Sequence, residues 1–198
     1  MNRNYHDKNS DSILGKLQIN VMGTEYTIYD HGKNPDFDEV YYDEKKDGDL
    51  RRDLGVVLYA TTTMLGVKGP RKMKACFSKV DDDGNPVKVW QPSNTSDEKM
   101  VTCFKKETSN INKLECMENK PPSWNEEVGA YVLSFDGRVT MASVKNFQLC
   151  RQGDEKDRLM QFGRTAKDEF SLDVQWPMSL HHAFAVALSS FDSKLRCD

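Results

Sequence analysis

The sequence predicts a mainly β fold of the α+β class, in which antiparallel strands enclose one C-terminal helix. Three observations carry this expectation. From Ile13 to Val174 the chain alternates short β-branched or apolar runs with turn residues. The stretch from Pro177 to Phe191 is helix-forming and apolar on every face, with Met178, Leu180, Ala183, Phe184, Val186, Leu188 and Phe191 leaving no polar side. It is too short to cross a bilayer, which needs ~20 apolar residues, so protein has to surround it, and a curved sheet or barrel is the natural container. No internal repeat or heptad offers a competing architecture.

The elements follow in order. Ile13–Val21 and Thr24–Tyr29 form a hairpin about Met22-Gly23, with Lys16 inside it. The polar segment from His31 to Gly48 is a solvated loop. Leu54–Leu65 and Arg71–Val80 are strands joined by the basic, glycine-rich Gly66-Val-Lys-Gly-Pro70. Asp81–Pro86 is a turn and Gln91–Lys99 a polar loop around the short apolar piece Val87–Trp90, and the turn and the loop are placed on the surface. Met100–Phe104 and Lys113–Met117 read as strands, and Pro121-Pro122 confines any strand there to an edge. Ala130–Phe135 and Arg138–Ala142 flank Asp136-Gly137, a pair suited to the positive φ angles of a type I′ turn, so a hairpin is expected. Val144–Leu149, Leu159–Phe162 and Glu169–Val174 complete the strands. Pro177 is expected in the first turn of the final helix.

A chain of 198 residues, 37% of them hydrophobic, is expected to form one domain spanning residues 1–198, with 1–12 irregular. Its formal charge of -3 excludes a broadly basic nucleic-acid binder, so any anion site is local. The 5 cysteines are scattered without a C-x-x-C pair and read as reduced thiols. The polar N-terminus shows no secretory signal, and a cytosolic or nuclear compartment is expected.

No catalytic fingerprint is present: Gly-x-Ser-x-Gly, a phosphate-binding loop and a dinucleotide motif are all missing, so neither an enzyme nor a cofactor is expected. The adjacent His181 and His182 diverge by ~100° on a helix and do not face one ion, and no metal is expected. The basic residues carry more information. Lys16, Arg51, Arg52, Lys68, Arg71 and Lys72 fall at strand ends, and such cations recognise phosphate if a curved sheet brings them together. The competing reading, ordinary solubilising charge, is favoured on spacing alone.

Several words decide between these readings. Gly15-Lys-Leu17, Val21-Met-Gly-Thr24, Gly66-Val-Lys-Gly-Pro-Arg-Lys-Met73, Asn119-Lys-Pro-Pro-Ser-Trp-Asn-Glu-Glu127, Phe135-Asp-Gly-Arg-Val-Thr140, Ala142-Ser-Val-Lys-Asn-Phe-Gln148, Met160-Gln-Phe-Gly-Arg164 and Ala183-Phe-Ala-Val-Ala-Leu-Ser-Ser-Phe-Asp192 occur in order from about Leu14 onward. They resemble the C-terminal domain of the Tubby and Tubby-like proteins. The resemblance implies a closed twelve-stranded antiparallel β-barrel around a central hydrophobic helix, here expected to lack the family's opening strands. One side of the helix is then expected to be poorly covered.

The resemblance also implies a phosphoinositide-binding module, of the phosphatidylinositol 4,5-bisphosphate type, that tethers the protein to the inner plasma membrane. The partners it implies are that lipid and trafficking or signalling proteins, with the chain a monomer. A nuclear or ciliary location, a nucleic-acid-associated transcription regulator, and a protein-interaction scaffold without lipid binding are the alternatives. Lys16 and Arg51 match family phosphate ligands. Gln18 stands where the family has Arg, a change that removes ~1 kcal/mol of attraction to an anionic surface, or roughly five- to tenfold in affinity. Arg52 is expected to compensate weakly, and the basic turn of Lys68, Arg71 and Lys72 to add a supporting field. His181 is expected at a core position of the helix, neutral and hydrogen-bonded, and His182 at a polar one.

Overall fold

In the computed structural model the described residues are 13–34, 50–60, 63–64, 67–68, 72–92, 97–127 and 129–191. An eight-stranded antiparallel sheet dominates. Its strands are β1 (Lys16–Ile19), β2 (Glu25–Tyr29), β3 (Asp53–Ala60), β6 (Lys72–Ser78), β7 (Leu114–Asn119), β10 (Phe147–Arg151), β11 (Asp154–Ala166) and β12 (Glu169–Val174), hydrogen-bonded in that order. Two small hairpins stand apart: β4 (Thr63–Met64) with β5 (Val67–Lys68), and β8 (Ser123–Asn125) with β9 (Ala130–Val132). The helices are α1 (Met100–Lys106) and α2 (Leu180–Ser189).

Alternation along each strand gives the sheet two differently occupied faces. Leu17, Ile19, Tyr26, Ile28, Val57, Met73, Ala75 and Phe77 point inward to a core that includes Ala183, Val186 and Ala187 of α2. Val56, Cys76 and Leu114 point outward to a second cluster with Met100, Cys103 and Phe104 of α1 and the buried Trp90. The sheet is therefore sandwiched between two helices.

Several expectations are corrected. Met100–Lys106 is helical, not a strand. Its N-cap residue Lys99 makes no side-chain cap, and the first N–H of the helix is instead taken by Asp53 Oδ2 on β3 at 2.9 Å. Trp90 is 4% exposed because α1 covers it, so the short apolar piece ends in the second cluster. The Asp136-Gly137 turn forms, with φ of 52° and 75° and Arg138 N–H bonded to Phe135 O at 2.9 Å. Its two arms do not pair as strands, however. The upstream arm binds β8, and the downstream arm is drawn to β11 and β12 by Thr140 and Met141 N–H bonds to Arg164 O and by the Arg138–Asp173 ion pair.

The terminal helix starts later than expected. Pro177 precedes it, after a cis Trp176–Pro177 bond, and Ser179 caps it by accepting His182 N–H at 3.2 Å. Among the described residues the sheet does not close: β1 and β12 are its two edges. In keeping with that opening, α2 is covered on one side only. Ala183, Val186 and Ala187 are buried, whereas Leu180 is 75% and Phe184 59% exposed, with Leu188 and Phe191 continuing the uncovered stripe. Enclosure on every side, expected from composition, is not found, whereas the expected poorly covered side of the helix is.

Candidate functional site

The site begins with the period of β1. Leu17 and Ile19 enter the core, so Lys16 and Gln18 must project from the outer face of an edge strand. Gly15 sets the height of that strand: a Cβ there would lie 2.6 Å from Tyr29 O and 2.7 Å from the His181 ring, so only glycine lets β1 approach α2 this closely.

Tyr29 on β2 is the register partner of Lys16. Over its ring lies the guanidinium of Arg51, 3.7 Å from the centroid. The same guanidinium donates through Nη1 to Gln18 Oε1 at 3.1 Å, joining residues 33 apart in sequence. Arg51 N–H bonds Lys33 O at 2.9 Å, and the residue is only 8% exposed, so its side chain is fixed before any ligand arrives. Lys16, Gln18 and Arg51 are thus brought together on one face. The Gln18 contact was invisible in the sequence, where Gln18 stood out only as a departure from the family's Arg.

Arg52 faces elsewhere. Its Nε donates to Asp30 Oδ2 at 2.7 Å and its backbone N–H to Asp30 Oδ1 at 2.9 Å. Burial pushes the Asp30 carboxyl up, but the Arg52 guanidinium and the N–H groups of Arg52 and Gly32 outweigh it and hold the carboxyl below its ordinary range. Arg52 therefore braces the turn after β2.

The basic turn is also apart. Lys72 opens β6 opposite Ala60, at the far end of β3 from Asp53, and β5 ends at Lys68 in the hairpin between them. Seven residue steps of strand, about 23 Å, separate Ala60 from the Arg51 end, too far for one head group to touch both. Arg71 lies outside the described residues.

Behind Arg51, a cleft lined by Tyr29, Asp53, Trp90, Pro92, Asp97, Glu98 and Lys99 has a volume of about 20 Å³, room for a water and not for a phosphate. Burial pushes the Asp53 carboxyl up, against the pull of the Met100 N–H, Arg51 and Lys99. Arg51 is thus closed on this side, and its Gln18 contact lies on the β1 side.

Among the described residues no group of three His, Cys, Asp or Glu side chains is placed to hold a metal. Cys76, Cys103, Cys116 and Cys150 are free thiols, each pushed up by burial, Cys116 to about 11, and so are weak nucleophiles. His182, expected at a polar position, packs against the sheet instead. His182 stacks on Phe77 with centroids 5.0 Å apart, hydrogen-bonds Ser179 Oγ at 2.9 Å, and is lowered to about 4 by desolvation first and the neighbouring His181 second. It is a half-buried, hydrogen-bonded histidine, while His181, also half-buried, packs beside Gly15.

With this geometry in view, comparison with known proteins is decisive. A sequence model of the Tub family matches residues 1–193. The chain belongs to the Tub family. Over 191 residues it is 42% identical to protein king tubby 1 of Aedes aegypti, covering 96% of this chain and 43% of that protein. It is 40% identical over 194 residues to Tubby-related protein 1 of Mus musculus, covering 96% of this chain and 34% of that protein. The human Tubby-related protein 1 is 39% identical over 191 residues, with 96% and 34% covered. The chain thus spans roughly a third to two fifths of the relatives it matches. The family match begins at residue 1, upstream of Leu14 where the familiar words start. No helix among the described residues is long and apolar enough to cross a membrane.

Proposed function

We propose that this Tub-family chain binds the phosphates of an inositol phospholipid head group on the outer face of β1 and so tethers itself to the inner plasma membrane, without catalysis and without a cofactor. One observation carries this reading: Lys16, Gln18 and the pre-fixed, largely buried Arg51 guanidinium come together on the outer face of the sheet. Lys16 supplies a mobile point charge, and Arg51 a planar fork whose orientation is already fixed by Tyr29 and Gln18, so little side-chain entropy is lost on binding. Gln18 contributes a neutral amide, which lowers the site's charge relative to a family member with Arg at this position.

Arg52 and Lys72 act at a distance, through the general field, and not as ligands of the same head group. Sedimentation with phosphatidylcholine vesicles, with and without phosphatidylinositol bisphosphate, tests the proposal. Binding that requires the phosphoinositide supports it; equal sedimentation with both vesicles contradicts it.

A further inference from the structure

We infer that the turn between β1 and β2 is an apolar tip that inserts Val21 and Met22 into the acyl region of a bilayer. This rests on the head-group reading above and adds a second, chemically different contact. Val21 is 97% and Met22 80% exposed at an otherwise well-built turn.

Neither residue is needed to make that turn. Asn20 Oδ1 accepts the N–H groups of Thr24 at 3.0 Å and Glu25 at 3.2 Å, Asn20 N–H bonds Glu25 O at 2.9 Å, and Gly23 supplies the positive φ of 76°. The two tip positions are free to be polar, as turn positions usually are, and a β-branched residue at a turn tip gains nothing in water.

The surroundings fit a membrane surface. Val21 follows Lys16 by five residue steps, about 17 Å along an edge strand, so a hairpin lying along the bilayer presents both at once. Leu14, 82% exposed, lies on the other side of Lys16 and gives the same face a second apolar contact. Glu25, the acid nearest the turn, is neutralised by an ion pair with Lys105 of α1, and Lys72 is exposed at the same end of the sheet. Basic groups beside a protruding apolar pair match an anionic interface, where apolar groups sink ~5–10 Å into the boundary of the acyl chains. Two side chains on a tip are far less than the ~800 Å² per partner of a stable protein interface, which favours lipid over protein as the occupant.

The test uses the 198-residue chain with Val21→Asn and Met22→Asn together, keeping Asn20 and Gly23. Binding is measured to soluble inositol trisphosphate by calorimetry and to phosphatidylcholine vesicles containing phosphatidylinositol bisphosphate by sedimentation. The variant is expected to match wild type for the soluble head group and to bind vesicles at least about tenfold more weakly. Unchanged vesicle binding, or a concentration-dependent dimer of wild type that the variant loses, overturns insertion. If wild type binds vesicles through the tip but ignores inositol trisphosphate, insertion stands and the head-group reading fails. If wild type binds neither, both fail. Equal thermal melts of the two proteins show that the variant is folded.

Discussion

Lowering the pH from 7.5 to 5.0 should destabilise the protein chiefly through His182. The ring is stacked on Phe77 and held by Ser179, and desolvation lowers it to about 4 from an ordinary 6.5. Between those values the unfolded chain binds a proton that the folded chain refuses, so stability is fully present above 6.5 and falls as the pH drops toward 4. The contribution lost at pH 5.0 is about 2 kcal/mol, approaching about 3 kcal/mol below pH 4. Urea denaturation of wild type and His182→Gln at both pH values measures this directly. The difference in pH dependence between the two proteins is expected to be about 2 kcal/mol, with the variant flatter. Parallel losses in the two proteins would show that the imidazole accepts its proton in the folded state and that the desolvation argument is wrong.

Other perturbations separate structure from binding. Gly15→Ala forces a Cβ to within 2.7 Å of the His181 ring and closer still to Tyr29 O, and is expected to cost about 1–3 kcal/mol in urea denaturation. Asp53→Ala removes the acceptor for the first N–H of α1, with an expected loss of about 1–3 kcal/mol and weaker helical circular dichroism; Asp53→Asn should recover most of it. Gln18→Arg adds charge where the candidate site has a neutral amide, and vesicle affinity should rise roughly five- to tenfold, an increase that shrinks at high salt.

The edge hairpin was legible because period-two alternation alone separates Leu17 and Ile19 from Lys16 and Gln18, and turn residues mark its end. The terminal helix was legible for the same kind of reason. What escaped depended on partners distant in sequence. Met100-Val-Thr-Cys-Phe is as apolar and β-branched as a strand, and becomes helical where Asp53 takes its first N–H and the outer sheet face buries Met100, Cys103 and Phe104. The Asp136-Gly137 turn obeyed its local chemistry, yet tertiary bonds to Arg164 and Asp173 took the downstream arm away from its sequence neighbour.

Site residues divide in the same way. Lys16 and Gln18 could be placed on one face from alternation. That Arg51 would join them through Gln18 while Arg52 turned to Asp30 could not, since a bulge between Ile28 and Tyr29 shifts the register where β2 meets β3. Convergence of the Lys68, Arg71 and Lys72 turn with Arg51 was an assumption about curvature. For Lys72 the strand register places the two groups at opposite ends of β3.

The most direct measurement of the central claim is a calorimetric titration of soluble inositol trisphosphate into wild type and into Lys16→Gln with Arg51→Gln, with thermal melts as the folding control. Saturable binding by wild type that weakens at least about tenfold in the folded variant is the predicted result. Equal binding by both proteins would remove the outer face of β1 as the phosphate site.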